Sequence, residues 1–281
     1  MKKSIGRIIT YIFLLIILAF ALLPLVYTIF ASFKTNMEIL TDPGSMFPKK
    51  FTFDNYITAW NSENFRVGPM VLNSTIYTLF NVLVTVLFSS MAGYVFARGS
   101  FRGKKLIFGC FLSLMFIQVG GISIYAVFDV LNLVNLTSSL FSLMIVKMFG
   151  VQTMQLYLVK GYVETLPKEL DEAAEIDGCS FFKIYYKIIM PLLLPILATV
   201  GMLSFQGSWN EYLMPTIFTV SQPAQQTLIV GLMALKSSSG AATQWNLMLA
   251  GSVIALFPVL VAYAFGNRFF ISGLSAGAVK G

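Results

Sequence analysis

The chain has 281 residues, 57% apolar and only 11% charged, with 19 Lys and Arg against 12 Asp and Glu for a formal charge of +7. Soluble domains carry charge on about a quarter of their residues, so this composition excludes an ordinary soluble domain and predicts an integral membrane protein. With no histidine and only two cysteines, Cys110 and Cys179, it also excludes Ser-His-Asp and Cys-His nucleophile sets, H-E-x-x-H zinc sites and a disulfide framework.

A bilayer crossing takes about 20 apolar residues in a helix. Six runs of that order follow along the chain: residues 8–31, 70–97, 106–128, 139–159, 192–218 and 246–266. The expected fold class is therefore all-α, a polytopic membrane protein of six transmembrane helices. The first run has Lys2, Lys3 and Arg7 before it and Ala19-Phe20-Ala21 within it, like a secretory signal. It continues for ten more residues, so an uncleaved spanning helix is expected.

Lys and Arg set the orientation. With the N-terminus cytoplasmic, thirteen fall in inner segments, five in outer segments (Lys34, Lys49, Lys50, Arg66, Lys236), and Lys147 lies within a span. That positive-inside bias puts both termini in the cytoplasm, a large loop at 32–69 outside and another at 160–190 inside. It also accounts for the basic charge through topology, so no nucleic-acid partner is expected.

The inner loop differs chemically from its surroundings. Glu164, Glu169, Asp171, Glu172, Glu175 and Asp177 lie within fourteen residues. Pro167 suits a first helical turn, acids after it favour the positive end of a helix dipole, and Gly178 supplies a stop. Leu166, Leu170, Ala173 and Ala174 are expected on one side, with Glu169, Glu172 and Glu175 as a stripe on another. Beyond the glycine, Ser180 is placed to cap a second helix whose Phe181, Phe182, Tyr185 and Tyr186 sit at the membrane interface. Pro191 and Pro195 then open the fifth span. By pattern alone this region reads equally as a solvated connector.

Polar residues at membrane depth are candidates for a transport pathway. They are Gln118 in the third run, Lys147, Gln152 and Gln155 in the fourth, and Gln206, Trp209, Asn210 and Glu211 in the fifth. Gln206, Trp209 and Asn210 are expected on one face, joining amides to an aromatic plane, and Lys147 is placed to pair with Glu211. Packing between helices uses the same residue types. The nearest approach to a phosphate-binding loop, Gly99-Ser100-Phe101-Arg102-Gly103-Lys104-Lys105, has one residue too few between its glycines and no Ser or Thr after its lysine, so it reads as a basic turn.

The segment Glu172-Ala173-Ala174, then Asp177-Gly178, then an amphipathic run to Met190-Pro191-Leu192 resembles the EAA loop of ATP-binding-cassette importer permeases. Ser32-Phe33-Lys34-Thr35-Asn36, Phe51-Thr52-Phe53-Asp54-Asn55-Tyr56, Asn73-Ser74, Ala92-Gly93-Tyr94-Val95-Phe96-Ala97-Arg98 and the ending Gly273 to Gly281 resemble the carbohydrate-uptake branch, specifically its MalG-type second permease subunit.

The resemblance implies a type I importer permease fold: residues 1–69 as first helix and outer loop, 70–267 as a permease core containing the coupling loop 164–190, and 268–281 as a cytoplasmic tail. It implies a transport subunit in a bacterial plasma membrane, not an enzyme. Its partners would be a second permease subunit in a heterodimer, two ATPase subunits holding the ATP and Mg, an extracytoplasmic sugar-binding protein, and membrane lipid. No cofactor or metal is expected in this chain. Glu172, Ala173, Ala174, Asp177 and Gly178 would couple to the ATPase, and Gly277, Val279, Lys280 and Gly281 in the tail would touch it. An ATP-independent secondary transporter subunit would also explain the spans and polar residues, but not the EAA loop.

Overall fold

The computed structural model describes residues 2–62, 65–116, 139–150, 152–237 and 243–278, with side chains placed from 6 to 266. Every regular element among them is a helix, as the apolar runs imply. In lipid the backbone must satisfy its own hydrogen bonds, and a helix does so within one segment. The chain separates into two compact units, Met1–Val71 with Thr227–Pro258 and Leu72–Gln226 with Val259–Gly281.

In the first unit, α1 (Lys2–Ala31) has none of its most apolar window buried. The following loop is knotted by side chains. Thr35 caps α2 (Asn36–Thr41) by accepting the Glu38 N–H at 3.2 Å, and the Glu38 carboxylate accepts the Lys49 N–H at 2.7 Å. Asn55, buried on α3 (Asp54–Asn61), donates to the Ser32 and Lys34 carbonyls at 2.7 and 2.8 Å and accepts from Asn246 at 2.8 Å. The Tyr56 and Ser32 hydroxyls are 2.6 Å apart, and Phe33 packs against Phe51, Phe53 and Tyr56. These contacts explain why Ser32–Asn36 and Phe51–Tyr56 stand out as sequence segments: Asn55 of the second satisfies backbone carbonyls of the first, and their side chains pack together. The rest of this unit includes α12 (Leu228–Ser237), the start of α13 (Trp245–Ala278) and the first turn of the helix that begins at Val67.

The second unit takes α4 (Val67–Arg98) from Leu72 onward, then α5 (Lys104–Leu114), α6 (Leu140–Phe149), α7 (Thr153–Thr165), α8 (Glu169–Ile176), α9 (Phe181–Leu192), α10 (Leu194–Trp209), α11 (Leu213–Thr219) and the end of α13. Its main core joins Tyr94 of α4, Val159 and Val163 of α7, Ala174 of α8, Ile184, Tyr185 and Ile189 of α9, and Ile196 and Val200 of α10. A second cluster joins Tyr77, Leu140, Leu143 and Phe218.

Of the six expected spans, the first, second and sixth are single helices long and apolar enough to cross a membrane: Gly6–Ala31, Val67–Arg98 and Trp245–Gly266. The fourth is a pair, α6 and α7, bent by 40°. The third starts as α5, and its remainder, with Gln118, lies outside the described residues.

The fifth run differs most from expectation. It is preceded by α9, which meets α10 at a bend of 77°, and α10 ends at Trp209 instead of continuing to 218. Prolines explain both breaks. Pro191 and Pro195 lack the amide hydrogen that a continuing helix would use. Just upstream, the backbone loosens to a π turn at Tyr185–Ile189, with the Met190 N–H reaching back to the Tyr185 carbonyl. The Pro215 ring would clash with the carbonyl four residues back, at Glu211, and the chain leaves helical geometry at Asn210. Tyr185, expected at the membrane interface, is instead buried, its hydroxyl 2.8 Å from that of Ser90. A phenol at that position belongs to the core face that Ile184 and Ile189 define.

Candidate functional site

The acidic helix α8 begins after Pro167, with Glu169, Asp171 and Glu172 in its first turn, where the helix dipole favours negative charge. It ends in a Schellman turn. The Cys179 N–H bonds the Ala174 carbonyl at 2.9 Å, the Gly178 N–H bonds that of Glu175 at 3.0 Å, and Gly178 takes φ +73°. A side chain there would cost about 1–2 kcal/mol, so the glycine fixes the stop. The expected apolar side is split in two. Ala174 is buried in the core and Leu166 packs against it, whereas Leu170 and Ala173 face outward with Glu172, Asp177 and Gly178. Ile176 is 87% exposed. The helix is thus anchored by one side and offers the other as a small-residue surface rimmed by carboxylates.

The anchor comes from the end of α4. The Arg98 guanidinium pairs with Asp171 at 3.0 Å and donates to the Leu166 and Pro167 carbonyls at 2.7 and 3.3 Å. The Tyr94 hydroxyl donates to the other Asp171 oxygen at 3.3 Å, and the Tyr94 ring packs on Phe181 and Tyr185. Gly93 lets α4 approach α7 closely, since a Cβ there would lie 2.6 Å from a methyl of Val159 and 3.0 Å from the Lys160 nitrogen. Gly93, Tyr94 and Arg98 fall within the run that resembles the family, and Asp171 lies outside the coupling set that the resemblance implies. The one available signal was an arginine placed just beyond an apolar run and an odd acid among those of the loop. In the basic turn 99–105, Lys104 donates to the Gly99 carbonyl at 2.8 Å, so its ammonium caps the end of α4.

A second polar group lies along the spans. Lys147, in the last turn of α6, pairs with Glu211 at 2.7 Å, and Tyr77 of α4 donates to the other Glu211 oxygen at 2.6 Å. The Asn210 amide donates to the Gln206 carbonyl at 2.9 Å, and both side chains are exposed. Trp209 is not on that surface: it is buried and stacks on Phe205 at 5.8 Å. Neighbouring residues on a helix lie about 100° apart, so with Asn210 outward Trp209 turns in. Gln152 precedes α7 and lines a cavity of about 310 Å³ with Val84, Phe88, Phe111 and Phe149. Lys147 and Glu211 are therefore brought together, Gln206 sits with Asn210, Gln152 lines the cavity, and Trp209 is turned into the core. Gly277 falls within α13, while Val279, Lys280 and Gly281 lie outside the described residues.

A family model described as "Binding-protein-dependent transport system inner membrane component" matches residues 86–270. Among curated proteins, the chain is 36% identical over 249 residues to the probable starch degradation products transport system permease protein AmyC of Thermoanaerobacterium thermosulfurigenes, across 89% of this chain and 88% of that protein. It is 32% identical over 265 residues to the arabinooligosaccharides transport system permease protein AraQ of Halalkalibacterium halodurans, across 93% and 92%. It is 30% identical over 281 residues to the galactooligosaccharides transport system permease protein GanQ of Bacillus subtilis, across 100% and 98%. A solved chain of a bacterial ABC transporter involved in the import of the acidic polysaccharide alginate matches with a TM-score of 0.78 over 96% of this chain and 98% of that one, at 21% identity. That likeness speaks for the fold.

Proposed function

The chain belongs to the family of binding-protein-dependent transport system inner membrane components, and from that premise we propose that it is the permease subunit of an ATP-driven importer of a sugar or oligosaccharide. Relatives of at least 30% identity along nearly their whole lengths are permeases for starch degradation products, arabinooligosaccharides and galactooligosaccharides. The cargo is accordingly a sugar or oligosaccharide taken up across a bacterial plasma membrane. The chain works with a second permease in a heterodimer, two ATPase subunits that hold ATP and Mg, and an extracytoplasmic binding protein. It is a transport subunit whose energy comes from another chain's ATP hydrolysis. It is multi-pass with both termini cytoplasmic. Residues 1–69, 70–267 and 268–281 form its first helix and outer loop, its permease core and its tail.

The observation that carries the mechanism is the division of α8 into a buried side at Ala174 and an exposed side at Glu172, Ala173, Asp177 and Gly178. A small alanine lets a helix lie close in a groove, and exposed carboxylates contribute only about 0–1 kcal/mol each. The apolar contact therefore dominates docking on the ATPase, with the tail from Gly277 to Gly281 as a second contact. Gln118, Lys147, Gln152, Gln206, Trp209, Asn210 and Glu211 are the candidates for the cargo pathway, among which Gln206 and Asn210 offer exposed amides to sugar hydroxyls while Trp209 is buried behind them.

The test is to purify the chain with its associated ATPase and binding protein and to reconstitute it with starch-, arabino- and galacto-oligosaccharides as probes. Uptake should require ATP hydrolysis. Ala173→Trp should overpack the docking face, at about 1–3 kcal/mol, and weaken ATPase association correspondingly. Uptake that persists without the ATPase would refute the reading in favour of a secondary transporter.

A further inference from the structure

The second span and the acidic helix are separated by seventy residues of chain, yet they share one polar joint. Arg98 ends α4, its side chain is only 8% exposed, and all three of its recorded partners, the Asp171 carboxylate and the Leu166 and Pro167 carbonyls, lie on the approach to α8 or in its first turn. Asp171 is equally enclosed, at 13% exposure, and uses its second oxygen for Tyr94, one turn back along α4. The planar guanidinium is suited to this task, because its fork can serve a carboxylate and carbonyls at once in fixed geometry. Gly93 removes the bulk that would hold α4 away from α7 at the same level.

Along the chain, α8 joins the spans through the non-helical turn at 166–168 after α7 and, on its other side, through α9. The latter route contains Gly178 at φ +73°, the π turn at Tyr185–Ile189 and the 77° bend before α10. Each of these loosens or redirects the backbone. Arg98 thus adds a lateral connection from α8 into α4 that bypasses the backbone breaks on both sides of α8.

We propose that Arg98, with Asp171 and Tyr94, is the positioning element that makes α4 and α8 move as one piece, so that displacement of α8 by the ATPase is delivered directly to the second span. This rests on the importer reading above and names residues in that mechanism that the EAA segment does not include. Arg98 acts through Asp171 and touches neither cargo nor nucleotide.

The experiment uses the complete transporter carrying spin labels at Met91→Cys on α4 and Ile176→Cys on α8, both exposed sites, with Cys110 and Cys179 replaced by serine. The nucleotide analogue AMP-PNP is the probe. With Arg98 intact, one narrow distance is expected, unchanged by AMP-PNP. Arg98→Gln removes the Asp171 ion pair and the charge-assisted hydrogen bonds to the Leu166 and Pro167 carbonyls. Each such hydrogen bond is worth enough that its loss shifts a two-state balance by about tenfold or more, so the substitution should turn that single distance into two populations that respond to AMP-PNP. Arg98→Lys, which keeps the charge and loses the fork, should fall between. Should Arg98→Gln fail to assemble, the isosteric Asp171→Asn replaces it with the same expectation. A distance that changes with AMP-PNP in the parent, or one that Arg98→Gln and Asp171→Asn leave single, overturns the proposal. A label pair from α8 to the ATPase reports separately on docking: no coupling between them would count against the importer reading, while the α4–α8 distances would still decide the joint.

Discussion

Glu211 is held from two directions, its carboxylate oxygens taken by Lys147 at 2.7 Å and Tyr77 at 2.6 Å. Both charged side chains are less than a quarter exposed, so each depends on the other for compensation. Removing one partner of a buried pair costs about 3–5 kcal/mol, while replacing both by apolar residues of similar size is close to neutral. Lys147→Met should therefore lower the thermal stability of the purified protein clearly, and adding Glu211→Leu should recover most of the loss. A double variant no more stable than Lys147→Met would show that the pair does not act as a unit. Gly178 makes a different demand. Proline fixes φ near −65°, whereas this residue sits at +73°, so Gly178→Pro must unwind the Schellman turn. It should abolish coupled uptake while the spans still insert, as measured by transport against membrane yield.

Helix continuity is the property that hydropathy reads worst. The run 192–218 is predominantly apolar, but α10 stops at Trp209 because Pro215 forbids a helical carbonyl at Glu211. The break is useful, since Glu211 reaches Lys147 and Tyr77 from the non-helical turn. Pro215→Ala should let the helix run on, raising hydrogen-exchange protection over 211–216 and loosening the Lys147 pairing; unchanged protection would remove proline as the cause. The acidic helix was legible for the opposite reason. Its start at Pro167 and stop at Gly178 are local signals, readable from the residues themselves, as was the chance for Lys147 to meet Glu211. Which face of α8 is buried was not legible, because Ala173 and Ala174 are chemically the same and only the position of α4 and α7 decides that Ala174 turns inward. Tyr185 and Trp209 were misplaced likewise: an aromatic ring suits an interface, a pathway or a core, and the choice belongs to neighbours far along the chain, Ser90 and Tyr94 in the one case. Arg98 could be counted as an inner positive charge but not assigned to Asp171, since six acids in the loop were equally available to it.

At the scale of the whole molecule, charge distribution and exposure lead to one topological statement that can be tested directly. The most apolar window of α1 has no part buried by the described residues of this chain, so its surface must meet lipid or another subunit, because so broad an apolar surface is not left to water. Orientation then rests on the basic residues: thirteen assigned to one side and five to the other give a bias that the translocation machinery reads with the positive side inward. Lys50, in the loop after α1, and Ile176, at the end of α8, fall on opposite sides under that rule, and both are exposed. With Cys110 and Cys179 replaced by serine, Lys50→Cys should react with a membrane-impermeant maleimide in intact cells, and Ile176→Cys only once the membrane is opened. Reaction in the reverse order would invert the topology and put α8 where no cytoplasmic ATPase could reach it, whatever the fit of its exposed face.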